Sequence, residues 1–129
     1  MIRVKRLSHV AILALWCCLS FAAPPSAPVR AEIDALLSKL EGSGCQFNRN
    51  GTWYSASEAK DHLLRKLEYL EGRTTIQSTE QFIELAGSTS STSGEAYQVK
   101  CGDGSPVESR QWLIGQLASI RGSVGKVKP

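Results

Sequence analysis

The sequence predicts an α+β domain, a small three-stranded antiparallel sheet with about four helices packed on one face. Three observations carry that expectation. Asn50-Gly51 is the dipeptide that a two-residue type I′ turn selects, because both central residues need positive φ. Ser55-Ala56-Ser57-Glu58 has the serine-x-x-glutamate spacing of a capping box, and Ala59, Leu63, Leu67 and Leu70 follow at helical spacing. Cys45 and Cys101 fall on the inward faces of two predicted strands, and opposing cysteines on neighbouring strands lie within disulfide reach.

Residues 1–22 read as a secretory signal peptide. Arg3, Lys5 and Arg6 form a basic start, 10–21 is an apolar run too short to span a membrane comfortably, and Ser20-Phe21-Ala22 offers a cleavage site. Val29-Arg30-Ala31 is a second such site, set far from the apolar run. Cys17 and Cys18 invite a lipidation reading, which Trp16 opposes by standing where those signals want a small residue. The three basic leader residues account for the whole formal charge of +3, so the remaining chain is balanced. Its composition therefore gives no support to nucleic-acid binding, and no stable membrane insertion is expected once the leader is gone.

Residues 23–31 are proline-rich and read as an extended tether. The domain proper is expected over 32–121. A first helix over 32–41 carries Ile33, Leu36, Leu37 and Leu40 on one stripe, with Gly42 at its end. A hairpin over 45–54 centred on Asn50-Gly51 pairs Phe47 with Tyr54, Asn48 with Trp53 and Arg49 with Thr52. Period-two alternation puts Cys45, Phe47 and Tyr54 on the core side and Trp53 on the opposite side.

The long helix runs over 56–71 to Gly72. Ser78 or Thr79 caps a third helix over 79–86, whose apolar residues include Phe82 and Ile83. Ser88 to Gly94 is a polar stretch without apolar anchors, expected to be a mobile loop. A third strand over 96–101 places Tyr97, Val99 and Cys101 on one side. Ser109 is the expected N-cap of a last helix over 110–121 carrying Trp112, Leu113, Leu117 and Ile120, and 122–129 forms a flexible tail.

Without the leader, two cysteines remain. Cys45 and Cys101 are expected to form a disulfide in an oxidising compartment, worth about 4 kcal/mol in the chain-entropy model. Two thiols and one histidine make a poor zinc set, and no metal or other cofactor is expected.

The assembled motifs have a family likeness. Phe47-x-Arg49-Asn50-Gly51, then Tyr54-Ser55-x-x-Glu58-Ala59-x-x-His62-Leu63-x-x-Lys66, resembles a family of small exported Gram-negative bacterial proteins known only as a domain of unknown function. Glu80-Gln81-Phe82-Ile83, Ser93-Gly94-x-x-Tyr97-x-Val99 and Trp112-Leu113 fit the same pattern, so the likeness spans 32–121. It implies a periplasmic protein and implies no activity.

Glu58, His62 and Lys66 form a stripe of successive i+4 steps. One reading is a binding or acid–base strip shared with Arg49 and Tyr97, responding to pH between about 5.5 and 7.5 as His62 titrates near its reference pKa. The other is a solvated face whose Glu58 is spent on the cap. Trp53, an aromatic on the outer sheet face, marks a partner site or packs beneath the first helix. The leading expectation is an envelope binding module, a monomer or weak dimer, taking an envelope protein or a small ligand. The alternatives are a small hydrolase-like enzyme using His62 and a loop hydroxyl, and a structural accessory protein. No Gly-x-Ser-x-Gly elbow supports the hydrolase, and Gly102-Asp103-Gly104 is a plain turn rather than a calcium loop.

Overall fold

A computed structural model describes residues 22–124. The expected leader, Ala22 apart, and the last five residues of the expected tail lie outside the described residues. The element order is α1 (Ala27–Glu41), β1 (Gln46–Arg49), β2 (Thr52–Tyr54), α2 (Ala56–Glu71), α3 (Thr79–Ala86), β3 (Gln98–Lys100), β4 (Val107–Glu108) and α4 (Ser109–Val124). The strands form one antiparallel sheet in the order β2-β1-β3-β4.

The hairpin follows from its turn. Asn50 and Gly51 adopt φ of 52° and 85°, and the register pairs Phe47 with Tyr54, Asn48 with Trp53 and Arg49 with Thr52, as the sequence predicts. β3 pairs with the other edge of β1, setting Phe47 opposite Val99 and Gln46 opposite Lys100. One step beyond that pair, Cys45 and Cys101 are disulfide-bonded with Cα atoms 4.3 Å apart.

Four features differ from the sequence reading. α1 starts at Ala27, so the second half of the expected tether is helical. Proline is tolerated in a first helical turn, where its missing N–H has no intrahelical acceptor, and Pro28 sits there. The sheet has a fourth strand, Val107–Glu108, preceded by Pro106. Proline is at home beside an edge strand, where it removes no ladder bond. Ser109 is the first residue of α4 rather than a cap outside it, and its N–H donates to the Tyr97 carbonyl at 2.8 Å. α4 itself runs on to Val124, past the expected end at 121.

α2 has the expected capping box, with the Glu58 N–H donating to Ser55 Oγ at 3.2 Å and the Ser55 N–H to Glu58 Oε2 at 3.1 Å. Ser78 caps α3, while Thr79 is buried and donates to Glu32 on α1. The helices cover the sheet face that presents Cys45, Phe47 and Val99, and α1 packs against the other three helices. Ile33, Leu36, Leu37 and Leu40 of α1 meet Leu63, Leu67, Phe82, Ile83, Leu113 and Leu117, all buried. Each such side chain contributes roughly 1.5–3 kcal/mol on burial, which makes this seam the main source of stability. Arg121 ties α4 to Glu32 of α1 and Glu80 of α3 across the exposed rim. No helix among the described residues is long and apolar enough to cross a membrane.

Candidate functional site

Arg49 is the last residue of β1 and lies on its helix-facing side, in step with Cys45 and Phe47. Its neighbours there end with the apolar core, so the guanidinium meets the polar stripe of α2 instead. Arg49 Nη1 lies 3.2 Å from His62 Nδ1, and Nη2 lies 3.5 Å from Tyr54 Oη. His62 Nε2 lies 3.2 Å from Tyr97 Oη, which also accepts from Lys66 Nζ at 3.2 Å. Lys66 donates a second bond to the Thr89 carbonyl at 3.1 Å. The result is one hydrogen-bonded chain, Tyr54–Arg49–His62–Tyr97–Lys66, running across β2, β1, α2 and the residue that leads into β3.

The tautomer of His62 follows from its partners. A guanidinium only donates, so Nδ1 must accept, and the proton of the neutral ring sits on Nε2 and points at Tyr97. Burial is the first cause that holds the ring neutral, followed by the charges of Arg49, Lys66 and Arg65, and together they bring its pKa down to about 4. The expectation of a histidine titrating between 5.5 and 7.5 is therefore corrected. It treated the ring as an isolated helix residue beside Glu58, whereas three cations surround it. Burial, then Arg49, likewise lowers the pKa of Lys66, and burial raises that of Tyr97.

The chain borders a pocket of about 280 Å³ whose walls include Phe47, Tyr54, Ala59, Leu63 and Tyr97, with Arg49, His62 and Arg65 among its polar lining. A second, more open depression of about 420 Å³, lined also by Lys66, adjoins the first and shares Arg49, His62 and Arg65 with it. Among the described residues, Arg49, Arg65 and Lys66 form no ion pair with any carboxylate. Arg49 and Lys66 are half-buried and Arg65 is exposed; holding like charges together without a counter-charge costs free energy, and such arrangements concentrate at functional sites.

Of the six residues singled out from sequence, Arg49, His62, Lys66 and Tyr97 come together in the hydrogen-bonded chain. Glu58 lines the pocket, but its carboxylate is engaged by the Ser55 N–H. Trp53 is 39 % exposed on the uncovered sheet face and lines neither depression. Arg65 and Tyr54 were missed as site residues. Arg65 stands three residues after His62, so helical spacing alone places it beside the ring.

The loop from Ser88 to Gly94 is fastened rather than free. Asn50 Nδ2 donates to Ser90 Oγ at 3.1 Å, Ser93 Oγ donates back to Asn50 Oδ1 at 2.5 Å, and Ser88 and Ser90 are buried. None of its hydroxyls hydrogen-bonds His62, whose two ring nitrogens face Arg49 and Tyr97. Among the described residues no group of three His, Cys, Asp or Glu side chains has the arrangement of a metal site.

The model of a family of unknown function, DUF5329, matches residues 27–121. The chain belongs to this family. It is also 36 % identical over 88 residues to the uncharacterized protein YfeK of Salmonella typhimurium, an alignment covering 67 % of this chain and 72 % of the relative. The family is thus one of Gram-negative bacteria, in agreement with the motif resemblance. No solved structure matches the chain.

The hydrogen bonds of the cluster bear on any role of His62 as a base. A general base needs a free lone pair within reach of its substrate. The only lone pair of neutral His62 is occupied by Arg49, and the Tyr97 phenol stays protonated.

Proposed function

We propose that the chain is an exported, periplasmic binding module that holds a small ligand by an anionic group. The observation that carries this reading is the set of three cations, Arg49, Arg65 and Lys66, that surround a neutral His62 beside a pocket and pair with no carboxylate among the described residues. Arg49 retains unused donors in a rigid fork suited to a carboxylate or phosphate, and Lys66 retains one of its three. Export is supported by the leader-like 1–22 segment and by the bridged Cys45–Cys101 pair.

The hydrolase alternative loses its base to Arg49 and finds no loop hydroxyl on His62. The outer sheet face, with Trp53, remains available to a protein partner in the envelope.

The test is a thermal-shift titration of the purified chain with short carboxylates and inorganic phosphate. Anions raise the Tm of the wild type and leave the Arg49→Gln, Lys66→Gln double variant unmoved. Equal shifts in both proteins, or none in either, would refute the reading.

A further inference from the structure

We infer that the ligand is an organic monoanion with a compact apolar body, of the aryl-alkyl carboxylate kind, rather than an inorganic anion or a polyanion. This rests on the anion-binding reading above and adds the part of the ligand that carries no charge.

The pocket is larger than an anion needs. At ~30 Å³ per water, about 280 Å³ is room for roughly nine waters, whereas a carboxylate or phosphate group alone takes only a fraction of it. Its lining includes an apolar, largely aromatic set, Phe47, Tyr54, Tyr97, Leu63 and Ala59, beside the polar residues. Phe47 is fixed from behind by an edge-to-face contact with Trp112 at 5.5 Å, so that wall is preformed. An apolar body displaces water from such walls, and each buried methylene contributes about 0.8 kcal/mol, a factor of about four in affinity.

The charge has one place to go. Tyr97 Oη accepts from both His62 and Lys66, so its own hydrogen remains to be donated, as do the spare protons of Arg49 and Lys66. Of these donors Arg49 and Tyr97 line the pocket itself, while Lys66 lines the adjoining depression and is joined to the pocket through Tyr97 Oη. Glu58 and Asp61 line the same pocket, and both are on α2. They repel every further negative charge that a ligand brings into the pocket, and a single carboxylate on Arg49 with a neutral body brings none. This carboxylate pair is the reason to prefer a monoanion to a nucleotide or a polyphosphate.

Isothermal titration of the intact folded chain with 3-phenylpropionate, acetate, inorganic phosphate and 3-phenylpropionamide tests the assignment. 3-Phenylpropionate is expected to bind at least tenfold tighter than acetate or phosphate, and the uncharged amide at least tenfold weaker than the acid. Ala59→Leu, which fills the pocket from α2, is expected to remove most of the advantage of 3-phenylpropionate and to leave acetate binding within about twofold. Circular dichroism confirms that this variant is folded, and Leu63→Ala, which enlarges the same wall, serves if it is not, with a shift in selectivity towards bulkier acids. Acetate or phosphate binding as tightly as 3-phenylpropionate overturns this inference and leaves anion binding standing. The amide binding as tightly as the acid, or no compound binding at all, overturns both. Unchanged selectivity in the pocket variants overturns the inference too, because the body would then lie elsewhere.

Discussion

Arg49 donates to Nδ1 of His62 at 3.2 Å, and this contact fixes the tautomer of the ring, while burial first and then the Arg49 charge keep it neutral. It takes the only lone pair of the neutral imidazole and places a positive charge beside it. Arg65 and Lys66 add to the same field from α2, Tyr97 takes the Nε2 proton, and Glu58 and Asp61 line the pocket in front.

A stability profile follows from the depressed pKa. His62 is unprotonated in both folded and unfolded states above about pH 6.5. Between 6.5 and about 4 the unfolded chain gains a proton that the folded ring refuses, so stability falls as the pH falls through that window. The loss attributable to this ring is roughly 2–3 kcal/mol at most, given its partial exposure. Urea unfolding of wild type and His62→Gln at pH 7.5 and 4.5 measures it, and the wild type should lose more stability than the variant. Parallel losses would show that the ring is not protected from protonation.

The bridge gives a second prediction. Cys45 and Cys101 join β1 to β3, the two central strands that carry Arg49 and adjoin Tyr97. Replacing both cysteines by serine should lower the unfolding free energy by about 2–4 kcal/mol, read from the urea midpoint at constant m-value. A change below about 0.5 kcal/mol would show that the sheet holds its register without the bridge.

What the sequence made legible was local chemistry. Asn50-Gly51 dictates its own turn, Ser55 and Glu58 dictate their own cap, and the α1 stripe from Ile33 to Leu40 reads directly as a buried face. Pro28 misled because a proline-rich run reads as extended, although its place in the first turn of α1 suits a helix. β4 was hidden because a two-residue strand has no pattern of its own and exists through its pairing with β3. The site was half legible. Helical spacing aligned Glu58, His62 and Lys66, but the charge state of His62 depends on its burial and then on Arg49 arriving from β1, neither of which any spacing on α2 encodes.

The serine-rich loop supplies a third prediction. Asn50 holds φ of 52° in the turn and also bonds Ser90 and Ser93. Asn50→Gly keeps the turn conformation, since glycine adopts positive φ freely, but removes the anchor. Amide hydrogen exchange should then accelerate at least tenfold at Gly94, whose N–H donates to the Ser90 carbonyl, and remain unchanged in α2. Unaltered exchange at Gly94 would show that the loop holds its own shape.

The central claim is that an anion sits beside His62 among unpaired cations, and the ring itself reports it. The sequence has only two histidines, His62 and His9, the latter within residues 1–22, so the proton resonance of the His62 ring is readily assigned. Its pKa is to be measured by NMR titration of a chain starting at Ala23, with and without saturating 3-phenylpropionate. The free protein should titrate near 4, and the bound anion should raise that value by about one unit or more, because an opposite charge within ~4–6 Å favours the protonated ring. A pKa unmoved by a ligand shown to be bound would place the ligand away from His62 and contradict the account.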